Sequence, residues 1–195
     1  MKIGVLALQG AVTEHIQMLF ALGAEAVPIR LPSEIDGLDA LVIPGGESTT
    51  ISKLLADYDL MEPIRKLAKQ GFPIFGTCAG LVLLAKKVPN LEIAPIGVMD
   101  IEVKRNAFGR QVDSFEADLK IPALDNGAFR GIFIRAPIIE KTERDVKVLC
   151  QLNGSPVAVR QGKLVACAFH PELTDDLRFH KYFLDLVDGE AICKR

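Results

Sequence analysis

Short apolar runs alternate with segments of helical spacing through the first half of the chain. Residues 2–8 (KIGVLAL) have the pattern of a buried strand, and residues 12–23 have the apolar spacing of a helix ending at Gly23. The alternation continues with strand patterns at 24–30, 39–46 and 72–76 and helical patterns at 48–59, 60–71 and 79–88. Strands that alternate with helices predict βαβ units, and therefore a parallel sheet covered by helices on both faces.

The second half is dominated by short strand-like runs joined by turn residues. Asn-Gly at 126–127 and 153–154 and Gln-Gly at 161–162 mark expected hairpins, and residues 175–190 have the pattern of a closing amphipathic helix. No linker, repeat or low-complexity tract interrupts the chain. We therefore expect one α/β/α domain over residues 1–195, with a mostly parallel central sheet and antiparallel additions in the second half.

Composition limits the partners and the cellular location that are expected for the protein. The 195 residues are 49% hydrophobic, and a chain of this size buries roughly 70% of its unfolded surface, so it can fold without disulfides or bound metal ions. The formal net charge of −2 and the absence of any Lys/Arg run argue against nucleic acid or a membrane surface as partner. No stretch approaches about 18 apolar residues, and the apolar residues 1–8 are too short for a signal peptide. A cytoplasmic location is expected.

The four cysteines do not predict a disulfide or a zinc site, because no Cys-x-x-Cys pair is present and the chain has only three histidines. We expect neither a metal nor a cofactor. Cys150 and Cys167 occupy alternating positions in apolar strand patterns and are predicted to be core residues, whereas Cys193 lies near the C-terminus.

Cys78 has a different setting. Gly76, Cys78 and Gly80 form a G-x-C-x-G sequence between a strand pattern and a helix pattern. This is the cysteine counterpart of the G-x-S-x-G nucleophile elbow, in which a sharp turn exposes the reactive atom. The N–H of Ala79 is then a candidate oxyanion donor. The alternative is a small buried residue at a tight turn.

His170 is the best candidate for the base that a nucleophilic cysteine needs. It ends an apolar strand pattern, and Pro171 biases it toward extended backbone, in which Glu172 points the same way and can orient the ring. The alternative is a histidine packed at a strand end. The other histidines, His15 and His180, lie in helical patterns and are expected at the surface.

A second glycine-rich turn lies in PGGEST, residues 44–49. Its glycines allow close approach to a ligand, so Gly46 is a candidate second oxyanion donor; a plain strand-to-helix turn is the alternative. Glu47 is poorly suited to a phosphate cradle, and neither nucleotide-binding glycine motif occurs.

Together the Gly-Gly turn, the cysteine elbow and the His-Pro-Glu sequence resemble the class I, triad-type glutamine amidotransferases. Within that group, the chain is similar to the glutaminase subunits of pyridoxal 5′-phosphate synthase from residue 3 to about residue 175. The segments that carry this resemblance are LALQGAVTEH, PGGEST, GTCAGL, RNAFGRQVDSFEADL, FIRAP and FHPELT.

The resemblance implies a flavodoxin-like three-layer fold and hydrolysis of L-glutamine to L-glutamate and ammonia. It implies Cys78 as nucleophile, His170 as general acid and base, and Glu172 as the residue that orients His170. It also implies a (β/α)₈-barrel synthase subunit as partner. The segment LQGAVTEH follows the first strand pattern, so Gln9 and His15 are candidates for sensing this partner. The positions that it implies for glutamine binding are Gly46, Glu47, Ser48, Arg105, Ile134 and Arg135.

Two other functions remain open from the residues. One is a cysteine-nucleophile hydrolase, or a glutaminase serving a different synthase. The other is a non-catalytic binding module on the same scaffold, which would be expected to lose Cys78, His170 or Glu172.

Overall fold

The computed structural model describes residues 1–91, 94–105, 114–124 and 127–189. In this part of the chain, the strands are β1 (Lys2–Leu6), β2 (Glu25–Ile29), β3 (Ala40–Ile43), β4 (Ile74–Thr77), β5 (Ala85–Lys87), β6 (Met99–Lys104), β7 (Ser114–Leu119), β8 (Phe129–Ile134), β9 (Ile138–Thr142), β10 (Lys147–Leu152), β11 (Ser155–Gln161) and β12 (Leu164–Cys167). The helices are α1 (Val12–Ala21), α2 (Ser48–Asp57), α3 (Met61–Lys69), α4 (Ala79–Leu84) and α5 (Arg178–Val187), with 3-10 turns at Pro32–Glu34 and Pro171–Leu173.

Seven strands form the central sheet, in the order β10-β11-β12-β4-β3-β1-β2. The five strands from β12 to β2 are parallel, and β11 and β10 extend one edge as antiparallel neighbours. This confirms the predicted α/β class, with a mostly parallel sheet and antiparallel additions. The βαβ connections bring the carboxyl ends of β1, β3 and β4 to one edge, where open α/β sheets bind ligands.

The strand β4 shows how helices cover both faces of this sheet. Its side chains alternate between faces, and Phe75 packs against Phe179 and Phe183 of α5. The next residue, Gly76, faces α4 on the other side, where an added Cβ would lie 2.7 Å from the Gly80 carbonyl carbon. Helix α2 packs against α4, so the sheet lies between two helical layers.

Two smaller sheets, β5-β6-β9 and β7-β8, accompany the central one. The helix expected over residues 79–88 is wrong at its end: α4 stops at Leu84, and Ala85 turns to φ −66°, ψ 138°. Residues 85–87 then pair with β6, since the backbone hydrogen bonds of a strand replace those of another helical turn. The strand β9 was not predicted.

Two of the expected hairpin turns are confirmed. Asn153 and Gly154 join β10 to β11, and Gly162 joins β11 to β12. For the third, Asn126 lies outside the described residues, although the flanking β7 and β8 form an antiparallel pair. In the described part of the chain, no helix is long and apolar enough to cross a membrane.

Candidate active site

Cys78 lies at the turn between β4 and α4, as the elbow pattern predicts. Its backbone has φ 48° and ψ −99°, a conformation that non-glycine residues seldom adopt. The flanking glycines make this turn possible, because a Cβ on Gly80 would lie 2.1 Å from the Ile43 carbonyl oxygen. The Cys78 N–H donates to the Cys167 carbonyl oxygen at 2.8 Å, which ties the elbow to β12. The chain therefore holds a strained backbone where the nucleophile was expected.

His170 and Glu172 form the hydrogen-bonded pair that the sequence predicts. Their Nδ1 and Oε1 atoms are 2.7 Å apart, and both residues are buried. Burial lowers the pKa of His170, but hydrogen bonds and charge interactions with Cys78 and Glu172 outweigh it and raise this pKa to about 10. The ring is therefore an imidazolium at neutral pH, a charge state that favours a cysteine thiolate beside it.

The Gly-Gly turn after β3 lies directly against His170 and Cys78. A Cβ on Gly45 would lie 2.3 Å from Cε1 of His170 and 3.3 Å from Cβ of Cys78, so only glycine fits there. The Gly45 N–H donates to Thr77 Oγ1 at 3.0 Å. On the outer side, the Glu47 N–H donates to Gln9 Oε1 at 2.7 Å, and a Cβ on Gly46 would lie 2.4 Å from that same oxygen.

An open cleft of about 480 Å³ is lined by most of the predicted site residues. Its walls contain the predicted nucleophile and base, the Ala79 position and all six predicted glutamine-binding residues: Cys78, His170, Ala79, Gly46, Glu47, Ser48, Arg105, Ile134 and Arg135. Glu172 is absent from these walls because it is buried behind His170. Positions 106–113, part of the RNAFGRQVDSFEADL segment, lie outside the described residues.

Three charged side chains line the cleft: Glu47, Arg105 and Arg135. Nη1 of Arg105 is buried and has no hydrogen-bond partner in the described structure. The pKa of Glu47 is lowered, chiefly by the backbone N–H of Thr49 and also by the charges of Arg105 and Arg135. The cleft thus presents guanidinium groups and an ionised carboxylate close to Cys78.

Sequence reasoning named Gln9 only as a candidate for sensing a partner, did not single out Gly45 or Thr77, and misplaced two histidines. His15 and His180, expected at the surface, are both fully buried. Their rings contact each other, with His15 Nδ1 2.9 Å from His180 Nε2. The helical spacing of each segment allowed this placement, since each histidine lies on the inward face of its helix, but the charged neighbours in sequence obscured it.

Cys150 and Cys167 are core residues, as predicted. Cys150 and Cys167 are buried and free, and burial raises the pKa of the Cys150 thiol to about 11 and that of Cys167 well above its ordinary value. Cys193 lies outside the described residues. Within the described ranges, no group of three or more His, Cys, Asp or Glu side chains is placed to hold a metal ion.

The comparisons with known proteins show which family the chain belongs to. The family model described as SNO glutamine amidotransferase family matches residues 5–188. The pyridoxal 5′-phosphate synthase subunit PdxT of Dehalococcoides mccartyi (strain BAV1) is 57% identical, over 96% of this chain and 97% of that protein. The subunit of the same name from Moorella thermoacetica is 54% identical, over 96% of this chain and all of that protein.

One solved structure supports the same family, and a second shares the fold. A crystal structure of a glutamine amidotransferase superposes with a TM-score of 0.91 at 49% identity, covering 95% of this chain and 98% of that one. The structure of PurLQS from Thermotoga maritima, at 17% identity and a TM-score of 0.67, covers 96% of this chain and 97% of that one and shares the fold alone. The chain belongs to the SNO glutamine amidotransferase family.

Proposed function

We propose that this chain is the glutaminase subunit of a pyridoxal 5′-phosphate synthase, with residues 1–195 as one glutaminase domain. The observation that carries the proposal is the arrangement of Cys78, His170 and Glu172. Cys78 and His170 line the cleft, and Glu172 is buried behind His170 and hydrogen-bonded to it. A nucleophile, a base and a residue that orients the base are the parts that covalent amide hydrolysis requires. Identities of 57% and 54% to the two PdxT subunits, over nearly the full length of the chain, support a role in pyridoxal 5′-phosphate synthesis.

Glutamine carries a carboxylate and an ammonium group at the end remote from its amide. Arg105 and Arg135 line the cleft and suit the carboxylate, because a guanidinium donates two parallel hydrogen bonds to it. The unpartnered buried Nη1 of Arg105 supports this role, since a buried donor without a partner is costly until a ligand satisfies it. Glu47, Ser48 and the Ile134 backbone supply acceptors for the ammonium group.

The proposed reaction runs in two halves. The Cys78 thiolate attacks the side-chain amide carbon of glutamine, and the N–H groups of Gly46 and Ala79 hold the oxyanion. His170 gives its proton to the departing nitrogen, so that ammonia leaves and a glutamyl thioester remains. A water then gives a proton to His170 and attacks the thioester carbon, which releases glutamate and restores the thiolate. Glu172 keeps the ring of His170 in one orientation throughout.

Ammonia released in water is protonated and lost, so the product is useful only if it passes directly to a second active site. We propose a (β/α)₈-barrel synthase subunit as the partner that receives it, with L-glutamine as the substrate of this chain. No nucleic acid, membrane, metal or cofactor takes part in this scheme. A cytoplasmic location, expected from the sequence, stays a prediction.

The test is glutamate release from glutamine by the wild type and by Cys78→Ala, each with and without the synthase subunit. We expect wild-type activity that rises when the subunit is added and falls to background in Cys78→Ala. Cys150→Ala is the matched control, since it removes another buried thiol outside the cleft and should retain activity. Activity that survives in Cys78→Ala would remove this residue from the mechanism.

The same experiment also tests which synthase is the partner of this chain. A wild type that hydrolyses glutamine through Cys78 but gains nothing from the pyridoxal 5′-phosphate synthase barrel would be a glutaminase for a different synthase. A wild type with no activity under either condition would favour the non-catalytic binding module.

A further inference from the structure

A buried polar cluster lies behind the active site, on the side away from the cleft. It consists of His15 from α1, His180 from α5, Thr77 from the end of β4 and Glu172, and each of these residues is at most 4% exposed. The proposed mechanism uses only Glu172. Four buried polar side chains are costly to desolvate unless they satisfy one another, so their arrangement requires an explanation.

His15 is the centre of this cluster. Its Nε2 lies 3.1 Å from Thr77 Oγ1 and 3.5 Å from Glu172 Oε2, while its Nδ1 lies 2.9 Å from His180 Nε2. Thr77 Oγ1 also accepts the Gly45 N–H at 3.0 Å. One imidazole edge therefore faces both the carboxylate that orients His170 and the hydroxyl that fixes the Gly-Gly turn.

The hydrogen bonds available determine where the ring protons lie. Nδ1 of His180 is buried and has no hydrogen-bond partner in the described structure, so a proton there would be an orphaned donor. The proton of His180 then belongs on Nε2, from which it donates to Nδ1 of His15. Nδ1 of His15 is thereby an acceptor, which leaves the proton of His15 on Nε2, facing Thr77 and Glu172.

The other tautomer of His15, with the proton on Nδ1, would leave polar atoms unsatisfied on both sides of the ring. A proton on Nδ1 of His15 would force the proton of His180 onto its partnerless Nδ1. It would also turn a bare nitrogen lone pair toward Oε2 of Glu172, which has no hydrogen bond among the described residues. Burial, and then the charges of His180 and His170, lower the pKa of His15 well below its ordinary value, so the ring is neutral.

We propose that His15, held in one tautomer by His180, is a positioning residue for glutamine hydrolysis. Its Nε2–H restrains Thr77 and the Glu172 carboxylate together, so that the Gly45 turn and the His170 ring keep a fixed relation to Cys78. His15 touches neither substrate nor reacting atoms. The kinetic part of this inference rests on the proposed glutaminase function, whereas the assignment of the ring protons does not.

The first arm of the test measures the ring protons directly. The chain has three histidines, so substituting each in turn assigns its long-range ¹H–¹⁵N imidazole signals. At pH 7 we expect His15 and His180 as neutral Nε2–H tautomers and His170 with both nitrogens protonated. A proton on Nδ1 of His15, or a charged His15, would overturn the proposal even if the chain were not a glutaminase.

The second arm compares His15→Leu, which removes the donor, with His15→Gln, whose side-chain amide offers an N–H near the Nε2 position. Met18→Leu is the matched control, because it alters another buried residue of α1. In the complex with the synthase subunit, we expect His15→Leu to lose roughly ten- to a hundredfold in kcat with KM within about twofold. His15→Gln should recover most of that loss, and Met18→Leu should match the wild type.

Equal losses in His15→Leu and His15→Gln, or a wild-type kcat in a folded His15→Leu, would contradict a positioning role. If His15→Leu does not fold, the recovery in His15→Gln and the ring-proton assignment decide the question. An inactive wild type would instead reject the proposed function, and the spectra would still test the network.

Discussion

At the scale of single residues, contacts with Cys78 and Glu172 set the charge of His170, the proposed base. The carboxylate raises the pKa of His170 both by its hydrogen bond and by its charge. In Glu172→Gln, we expect this pKa to fall by about one to three units from its value of about 10, as is usual when an adjacent opposite charge is lost. NMR titration of the His170 ring measures it.

The same substitution should lower kcat by roughly 10²–10⁴-fold, the usual contribution of general acid–base catalysis. Glu25→Gln provides the control, since this exposed carboxylate lies at the amino end of the edge strand β2, whereas the proposed triad lies at the carboxyl ends of the strands. A pKa of His170 that stays near 10 in Glu172→Gln would show that Cys78 alone holds the charge on the ring.

The residues that could be predicted from the sequence are those whose chemistry is visible in short motifs. Cys78 between its glycines, and His170 two positions before Glu172, need only local backbone geometry to be recognised. Thr77 and His15 carry no such signal, because their roles depend on contacts between residues 62 positions apart along the chain. The contact of Gln9 with the Glu47 N–H was not predicted for the same reason, since it joins two separate strand ends.

At the scale of elements, periodicity predicted most helices and strands but not the boundaries that depend on pairing. The apolar run at 79–88 fits one helix, yet residues 85–87 gain more from pairing with β6. The strand β9 pairs with β6 across an antiparallel register that no local pattern encodes. The inward placement of α1 and α5 also depends on packing, since both cover the Phe75 side of β4.

The packing of α1 against α5 through two histidines has a measurable effect on stability. Burial lowers the pKa of His180 to about 4, so between pH 4 and 6.5 the unfolded chain binds a proton that the native chain does not. Stability must therefore fall as the pH drops through this range. Between pH 7 and pH 5, this one group costs up to about 2 kcal/mol. The raised pKa of His170 acts in the opposite direction, but its contribution is already complete below about pH 6.5.

Urea unfolding at pH 7 and pH 5 tests this expectation. His180→Gln should lose up to about 2 kcal/mol less than the wild type on going from pH 7 to pH 5, because glutamine does not titrate. Comparing each variant with itself at the two pH values removes the fixed cost of the substitution. An equal loss in both proteins would mean that His180 is not the group that titrates.

At the scale of the whole molecule, the order of motifs along the chain predicted which strand ends meet. The parallel register of β1, β3 and β4 brings the Gln9 segment, the Gly-Gly turn and the cysteine elbow to one edge. The sequence could not show how these segments contact one another. The N–H of Ala11 donates to the Gly45 carbonyl oxygen at 3.2 Å, so the start of α1 is bonded to the turn that contacts His170.

Gln9 is the exposed member of this group, and it accepts the Glu47 N–H in the turn that carries Gly46, the proposed oxyanion donor. His15 is buried and has no surface for a partner to touch. If docking of the synthase reorders the turn, Gln9 is the side chain that transmits the change, and the partner shifts a population between two turn conformations.

We expect Gln9→Ala to reduce the ratio of glutaminase activity with the synthase to activity without it by at least about threefold. Binding of the two subunits, measured separately, should persist. Gln17→Ala, an exposed glutamine on α1, should leave the ratio unchanged. An unchanged ratio in Gln9→Ala, with binding intact, would place the coupling between the subunits elsewhere in the molecule.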